Sequence, residues 1–350
     1  MRTVCLSELG EFELIHRLTS GLETRDDVVV SVGDDAAVLV PVAGERLVAT
    51  VDAQVEGRHF LLSVTAPEAI GHKALAVNLS DIAAMGATPK WALISLLAPV
   101  ETAVAVLDGV YRGMRELARG FDVAIVGGNV SSTDGPLTID VALLGQVAAG
   151  RATLRSGAQV GDAVVVTGAL GAAAAGVLTL SPAPHGAGPL DAATVRGARD
   201  AMERPWPLVR EGEALARSGR VTAMLDVSDG LAADLAHLCE ASGVGAVLDA
   251  SAIPVHPAAH AVATVYHRDP LTLALNGGED YQLLFTARPE DVSRLGETLA
   301  TCGCACAVIG EIREAEAGLK MRDAAVALTA LEPKGWDHLR QRPAARTEGI

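Results

Sequence analysis

Aromatic side chains are scarce. Only 3 Trp, 3 Tyr and 4 Phe occur in 350 residues, so a core has to be filled mostly by Ala, Val and Leu. Basic residues are also in deficit: 28 Lys and Arg against 43 Asp and Glu leave a formal net charge of −15. A general nucleic-acid binder needs a basic face to neutralise phosphates, and this balance excludes that role. Five cysteines, an odd number in a long chain, exclude a disulfide scaffold. No run of eighteen uncharged apolar residues occurs, so no membrane span is expected. The N-terminal segment MRTVCLSELGEFELIHRL carries charges where a signal peptide needs an apolar run. A soluble, cytoplasmic protein is the resulting expectation. Two nucleotide-binding signatures are missing as well. No G-x-x-x-x-G-K-[ST] occurs, which excludes a Walker-type loop, and no G-x-G-x-x-G follows a strand.

What remains is ample core-forming material. Half of the residues are apolar, which excludes whole-chain disorder, and the length suits two domains. Phe12, Ile15 and Leu18 stand at helical spacing, which predicts a helix over 11–18. Apolar runs at 28–32, 36–40 and 47–51 read as strands. Pro67 and Gly86 bracket a helix of about twenty residues. A strand over 91–100, a helix over 101–118, a short strand at 123–126 and a longer one at 137–147 follow. The polar, Gly-containing stretch RSGAQVGD (155–162) comes just after a boundary near 150, giving domains 1–150 and 151–340. The second domain begins with the strand-like VVVTG. It continues with strands near 222–226, 245–249, 283–287 and 307–312 and helices near 208–217 and 231–242. SPAPHGAGPL (181–190) reads as a surface loop. The fold class is α/β (α+β) with a largely apolar sheet.

The carboxylates cluster in blocks. Asp34 and Asp35 lie in VGDDAAVL, Asp52 ends LVATVD, Asp81 sits in NLSDIAAMG, and Asp226 and Asp229 lie in MLDVSDGL. Any one of them is what a helix cap or a turn would use. Together, at strand ends and flanked by apolar sequence, they are costly to gather without a cation. An all-oxygen set of this kind suits Mg²⁺, which takes one or two carboxylates per ion with waters and substrate phosphates. VGGNVSSTDGP (126–136) reads as a Gly-rich loop after a strand. It serves either as an ordinary turn or as a place where backbone N–H groups approach a phosphate. NGGEDYQLLF (276–285) puts an acid pair and Tyr281 between two glycines and a buried strand. Trp336 suits either stacking on a flat ring or docking the C-terminal segment. Cys302, Cys304 and Cys306 alternate, which in a strand puts them on one face as small buried side chains.

Taken together, these blocks resemble the thiamine-monophosphate kinase family within the aminoimidazole ribonucleotide synthetase superfamily. The resemblance rests on GDDAAVL (33–39), TVDAQVEGRHF (50–60), NLSDIAAMGATP (78–89), GGNVSSTDGP (127–136), RSGAQVGD (155–162), LDVSDGL (225–231) and GGEDYQLLFT (277–286), in the family's order and spacing. It implies a two-domain fold. An N-terminal ATP- and Mg²⁺-binding sheet domain pairs with its copy in a homodimer, and a C-terminal α/β domain completes the active site. It also implies ATP, several Mg²⁺ ions, and γ-phosphoryl transfer to thiamine monophosphate. Carried over by position, Asp35, Thr50, Asp52, Asp81, Asp226 and Asp229 become metal ligands, with Asp52, Asp81 and Asp226 the catalytic set. Gly128, Asn129, Arg155 and Ser228 become ATP contacts. His59, Glu279 and Trp336 become the thiamine site, where an acid and an indole suit a cationic ring. The alternatives are a relative phosphorylating another small acceptor, or a nucleotide-binding homologue with impaired activity. Two positions depart from the family: Val51, in Thr50-Val51-Asp52 where Ser-Thr-Asp or Thr-Thr-Asp is usual, and Asn129 where Asp is usual. In the family both serve one ion.

Overall fold

The computed structural model describes residues 4–23, 25–323 and 326–334. The chain divides into two compact units, one ending at Ala152 and one starting at Thr153.

The first unit opens with helices α1 (Leu6–Leu9) and α2 (Glu11–Thr19) and a short antiparallel hairpin, β1 (Val28–Val30) with β2 (Val38–Leu39). Then come β3 (Glu45–Val55), α3 (Pro67–Ala84), β4 (Thr88–Ala98), α4 (Val104–Gly120), β5 (Ala124–Ser132) and β6 (Thr138–Ala148). The four longer strands form one sheet in the order β3-β6-β4-β5, antiparallel except for the β4–β5 pair. Alternation decides which face is covered. Ile139, Val141 and Leu143 of β6 are fully buried, and Thr50 and Asp52 of β3 pair with Leu143 and Val141, so they share that inner face. A hydrogen bond from Thr50 to Asp81 shows that the inner face is the one α3 covers. On the opposite face the β1–β2 hairpin covers one end, where Val28, Ala37 and Leu39 pack on Trp91, Ala124 and Val126. The rest of that face stays open, with Leu47, Val51 and Leu93 exposed.

Helix α3 starts with Pro67 at its first turn. It is buried almost all round, including His72, Lys73, Asn78 and Ser80, so it presents no polar face to reveal it by periodicity. Glycine lets α4 lie against it. A Cβ on Gly71 would sit 1.8 Å from the Val110 carbonyl oxygen, and one on Gly113 would sit 1.9 Å from that of Glu68.

The second unit contains β7 (Ala163–Thr167), α5 (Ala172–Leu178), α6 (Ala192–Glu203), α7 (Val209–Ser218), β8 (Val221–Asp226), α8 (Leu231–Ser242) and β9 (Gly245–Asp249). They are followed by α9 (Pro257–Val265), α10 (Pro270–Asn276), β10 (Leu283–Ala287), α11 (Pro289–Thr301), β11 (Cys306–Arg313), β12 (Leu319–Arg322) and β13 (Leu328–Ala330). The sheet order is β13-β12-β9-β11-β7-β10-β8, with only β12–β9 parallel. Val164, Val166, Leu225, Leu248 and Leu284 build the core against Leu231, Leu235 and Leu238 of α8.

The helix expected over 11–18 is α2; its buried residues are Leu14 and Leu18, and Phe12 is 84% exposed. Two expectations need correction. The Gly-rich segment 127–129 is not a loop but the middle of β5, held by parallel pairing of Gly127, Gly128 and Asn129 with Leu93, Ile94 and Ser95. The three cysteines do not share a strand face. Cys302 caps the end of α11, Cys304 lies in the connection after it and only Cys306 lies in β11.

Candidate active site

In the first unit, three oxygen-bearing side chains gather where β3 meets α3. Thr50 and Asp52 project two residues apart from the same face of β3, and the Thr50 hydroxyl donates to the Asp81 carboxylate on α3. The same two elements carry buried oxygen atoms with no hydrogen-bond donor: Gln54 Oε1, two residues beyond Asp52, and Asn78 Oδ1, one turn before Asp81. Asn78 Nδ2 donates to the Ala74 carbonyl at 3.0 Å, which fixes the orientation of its amide. Hard, negatively charged or neutral oxygen donors are what Mg²⁺ takes, usually with one or two carboxylates and the remainder water or phosphate. The donor set at this junction therefore fits that ion. Among the described residues, no three His, Cys, Asp or Glu side chains stand close enough to hold an ion by themselves. The expected cage of aspartates is thus not assembled by protein groups alone. Asp35 lies in the exposed β1–β2 turn, where its amide donates to the Asp34 side chain at 2.8 Å.

His59 follows β3 in a tight turn, with the Gly57 amide donating to the Phe60 carbonyl at 2.8 Å. The Val55 amide donates to His59 Nδ1 at 3.0 Å, and buried Lys73 donates to the His59 carbonyl at 3.2 Å. Because Nδ1 is the acceptor, the neutral ring carries its proton on Nε2 and presents a donor there.

Gly128 and Asn129 are exposed on β5. A Cβ on Gly128 would fall 1.8 Å from the Ile94 carbonyl oxygen, so the strand approaches β4 only because this residue is glycine. Val51 and Asn129 do lie on one face, through the rows Val51–Ala142–Leu93 and Asn129–Ser95–Asp140. They occupy the two outer strands, however. Three strand spacings separate them by roughly 14 Å, so within one chain they do not share an ion.

In the second unit, two loops are sewn together. Beyond β8 the chain runs Asp226-Val227-Ser228-Asp229-Gly230, and before β10 it runs Gly277-Gly278-Glu279-Asp280-Tyr281-Gln282. Val227 donates to the Gln282 carbonyl at 2.7 Å, Tyr281 to the Val227 carbonyl at 2.9 Å, and Glu279 to the Ser228 carbonyl at 2.7 Å. A Cβ on Gly278 would lie 2.3 Å from the Ser228 carbonyl oxygen, which explains the glycine. Ser228, Asp229 and Glu279 are therefore brought together. Asp226 is buried at the end of β8. Arg155 is exposed in a segment whose next turn is tied down by Ser242, which accepts from the Gly157 and Ala158 amides at 3.2 Å each. Trp336 lies outside the described residues.

Two further acids brace these loops: Asp234, not singled out in the sequence, and Asp280, the second of the acid pair in GGEDY. Asp234, buried on α8, accepts from the Asp229 amide at 3.1 Å and the Gly230 amide at 2.9 Å. Burial, and then the neighbouring Asp226 and Asp229 carboxylates, push its carboxyl up to about 8. Asp280 accepts from the Gly171 amide at 2.6 Å and the Ala173 amide at 3.3 Å. Burial pushes it up to about 7, against the pull of those amides. The signal available in sequence for Asp234 was its place four residues after Gly230, at the start of a helix; Asp280 carried none beyond membership of the GGEDY block.

The comparisons with known proteins agree with these blocks. Residues 33–147 match the N-terminal domain of AIR synthase related proteins, and residues 159–320 match the C-terminal domain. The thiamine-monophosphate kinase of Bacillus subtilis (strain 168) is 35% identical over 333 residues, covering 95% of this chain and 100% of that protein. Among solved structures, the thiamine-monophosphate kinase from Stenotrophomonas maltophilia K279a is 35% identical, with a TM-score of 0.75 over 90% of this chain and 96% of that one. AaThiL complexed with AMPPCP and TMP is 32% identical, with a TM-score of 0.74 over 97% of this chain and 100% of that one. With the oxygen cluster on β3 and α3 and the sewn SDG and GGEDY loops in place, the chain belongs to the thiamine-monophosphate kinase family.

Proposed function

We propose that this protein transfers the γ-phosphoryl group of ATP to thiamine monophosphate, giving thiamine diphosphate and ADP. The observation that carries the reading is the sewn pair of loops, which sets Ser228 and Asp229 beside Glu279. An acid for a cationic ring thus stands next to groups suited to nucleotide and metal. A relative solved with an ATP analogue and TMP supports it at 32% identity over 97% of the chain.

The acceptor is itself a phosphate, mostly ionised near neutral pH because its second pKa is about 6. Its oxygen attacks the γ-phosphorus while the bond to the β-phosphate oxygen breaks, so no strong general base is required. The protein has to align donor and acceptor and screen two like charges. In the first unit, Thr50, Asp52 and Asp81 would hold Mg²⁺, with Asp35 from the hairpin turn. In the second, Asp226 and Asp229 would do so. Mg²⁺ bound there supplies charge neutralisation for the transferring group. Gly128, Asn129, Arg155 and Ser228 contact ATP. His59 donates through Nε2 and Glu279 accepts on the thiamine side, with Trp336 as a stacking surface.

A homodimer is part of the same proposal. Leu47, Val51 and Leu93 leave an open apolar face on the first unit's sheet, and pairing that face with a second copy removes it from water. Since one chain keeps Val51 and Asn129 on opposite edges, an ion served by both positions requires two copies.

The test is purified protein with Mg²⁺, ATP and thiamine monophosphate, following ADP and thiamine diphosphate together. Equal yields of both are expected. ATP binding with no thiamine diphosphate formed would transfer the reading to another acceptor.

A further inference from the structure

The loop carrying Glu279 is held in a conformation it would not adopt alone. Glu279 has φ of 66° and Tyr281 has φ of 48°. Two non-glycine residues in the left-handed region, one residue apart, persist only where the surroundings over-determine them. On one side the constraint is the backbone pairing with Val227 and Ser228. On the other it is the residue between them. The Asp280 carboxylate accepts from the amides of Gly171 and Ala173. The same region leaves no slack. A Cβ on Gly277 would lie 2.3 Å from the Ala174 Cβ and 2.4 Å from the Leu273 carbonyl oxygen. Beyond Tyr281, Gln282 is anchored by the Thr167 hydroxyl at 3.0 Å, and that hydroxyl in turn accepts from the Leu283 amide at 2.8 Å.

We infer that Asp280 is a positioning residue: by locking onto the Gly171 and Ala173 amides, it fixes the left-handed turn that aims Glu279 at the phosphoryl acceptor. The inference rests on the reading of Glu279 as an acceptor-site group. Asp280 touches neither substrate. Its counterpart for the nucleotide side is Asp234, which braces Asp229 and Gly230 by the same device.

Three variants test this. Asp280→Ala removes both acceptors, Asp280→Asn keeps one oxygen in place, and Asp280→Glu keeps the charge but displaces it by one methylene. With thiamine monophosphate as acceptor, Asp280→Ala and Asp280→Glu should raise the acceptor KM at least about tenfold, as a displaced binding group does. The KM for ATP should stay within about twofold. Asp280→Asn should lie near wild type. In a Glu279→Gln background, adding Asp280→Ala should raise the acceptor KM no further, because Asp280 acts through Glu279. Amide hydrogen exchange gives a readout that does not depend on turnover: protection of the Glu279 and Tyr281 amides should fall in Asp280→Ala and survive in Asp280→Asn. If Asp280→Ala does not fold, Asp280→Glu carries the test. An unchanged acceptor KM in a folded Ala or Glu variant overturns the inference, as does additivity with Glu279→Gln or unchanged exchange at residues 279 and 281. If wild-type protein makes no thiamine diphosphate, the functional reading fails, and the exchange experiment still decides whether Asp280 fixes the turn.

Discussion

Replacing Gly113 with alanine tests whether the close crossing of α3 and α4 holds the first unit together. In an open helix this change is favourable, by about 0.5–1 kcal/mol, because alanine has less backbone freedom to lose. Here the new Cβ would sit 1.9 Å from the Glu68 carbonyl oxygen and 2.7 Å from its carbon. Neither atom can move alone, since both are backbone of α3. The helices must therefore part by about 1 Å, which forfeits roughly a quarter to a half of the dispersion energy along the seam. Overpacking of this kind costs about 1–3 kcal/mol. It outweighs the propensity gain, and for a unit of this size each kcal/mol moves the midpoint by about 2–4 °C. A fall of several degrees is expected by differential scanning calorimetry, with weaker turnover because α3 carries Asp81. Gly197, in the middle of α6, is the control, because a Cβ added there would meet nothing within 4 Å. Gly197→Ala should melt at or slightly above wild type. A Gly113→Ala protein that melts as high as the Gly197→Ala control would refute the reasoning.

Asp52→Asn and Asp81→Asn should each lower turnover at least about a hundredfold, as loss of transition-state charge stabilisation does. Both should keep a cooperative melt; near-wild-type rates would reduce these residues to structural partners. Val51→Glu, on the open face of β3, should shift the protein to a smaller species in sedimentation while leaving the unit folded, and an unchanged species would count against that face as the contact between copies. For Asp280 the folded pKa of about 7 lies above the ordinary 3.8. Its contribution to stability is therefore fully present below about pH 4 and is lost as pH rises through 7. Asp280→Asn removes that titration, so the melting midpoint of the variant relative to wild type should climb between pH 4 and pH 8; a constant difference would show that Asp280 does not titrate there.

The sequence was most informative where local chemistry and tertiary structure agree. Pro67 starts α3, the apolar runs at 47–51 and 283–287 fall within β3 and β10, the SDG block follows β8 and the GGEDY block leads into β10. It misled where a tertiary contact overrides a local signal. Gly127 and Gly128 read as a turn, yet they lie in β5, and Gly128 is a glycine because β5 runs against the backbone of β4 there. Phe12 shares the helical spacing of Ile15 and Leu18, but Leu14 and Leu18 are the buried residues of α2 and Phe12 faces outward. Nothing in the local pattern shows that β3 and β5 end up on opposite edges, which is why Val51 and Asn129 could be read as neighbours. The role of Asp280 was hidden for a similar reason, because the amides it holds lie more than a hundred residues away.

The strand order of the first unit also bears on how the chain acquires its shape. β6 is the last of the four strands to be synthesised, yet it sits between β3 and β4. Until it emerges, β4 and β5 can pair, but β3 has no neighbour in the sheet. At about 5–20 residues per second, the roughly 80 residues between β3 and β6 keep that strand waiting for several seconds on the ribosome. Pairing at such sequence distance is slow to nucleate, because loop closure is paid before the contact forms. The strand left waiting is the one that bears Thr50, Asp52 and the apolar Leu47 and Val51. Within the first unit it is therefore the strand left open longest to chaperone capture or to pairing with the wrong molecule.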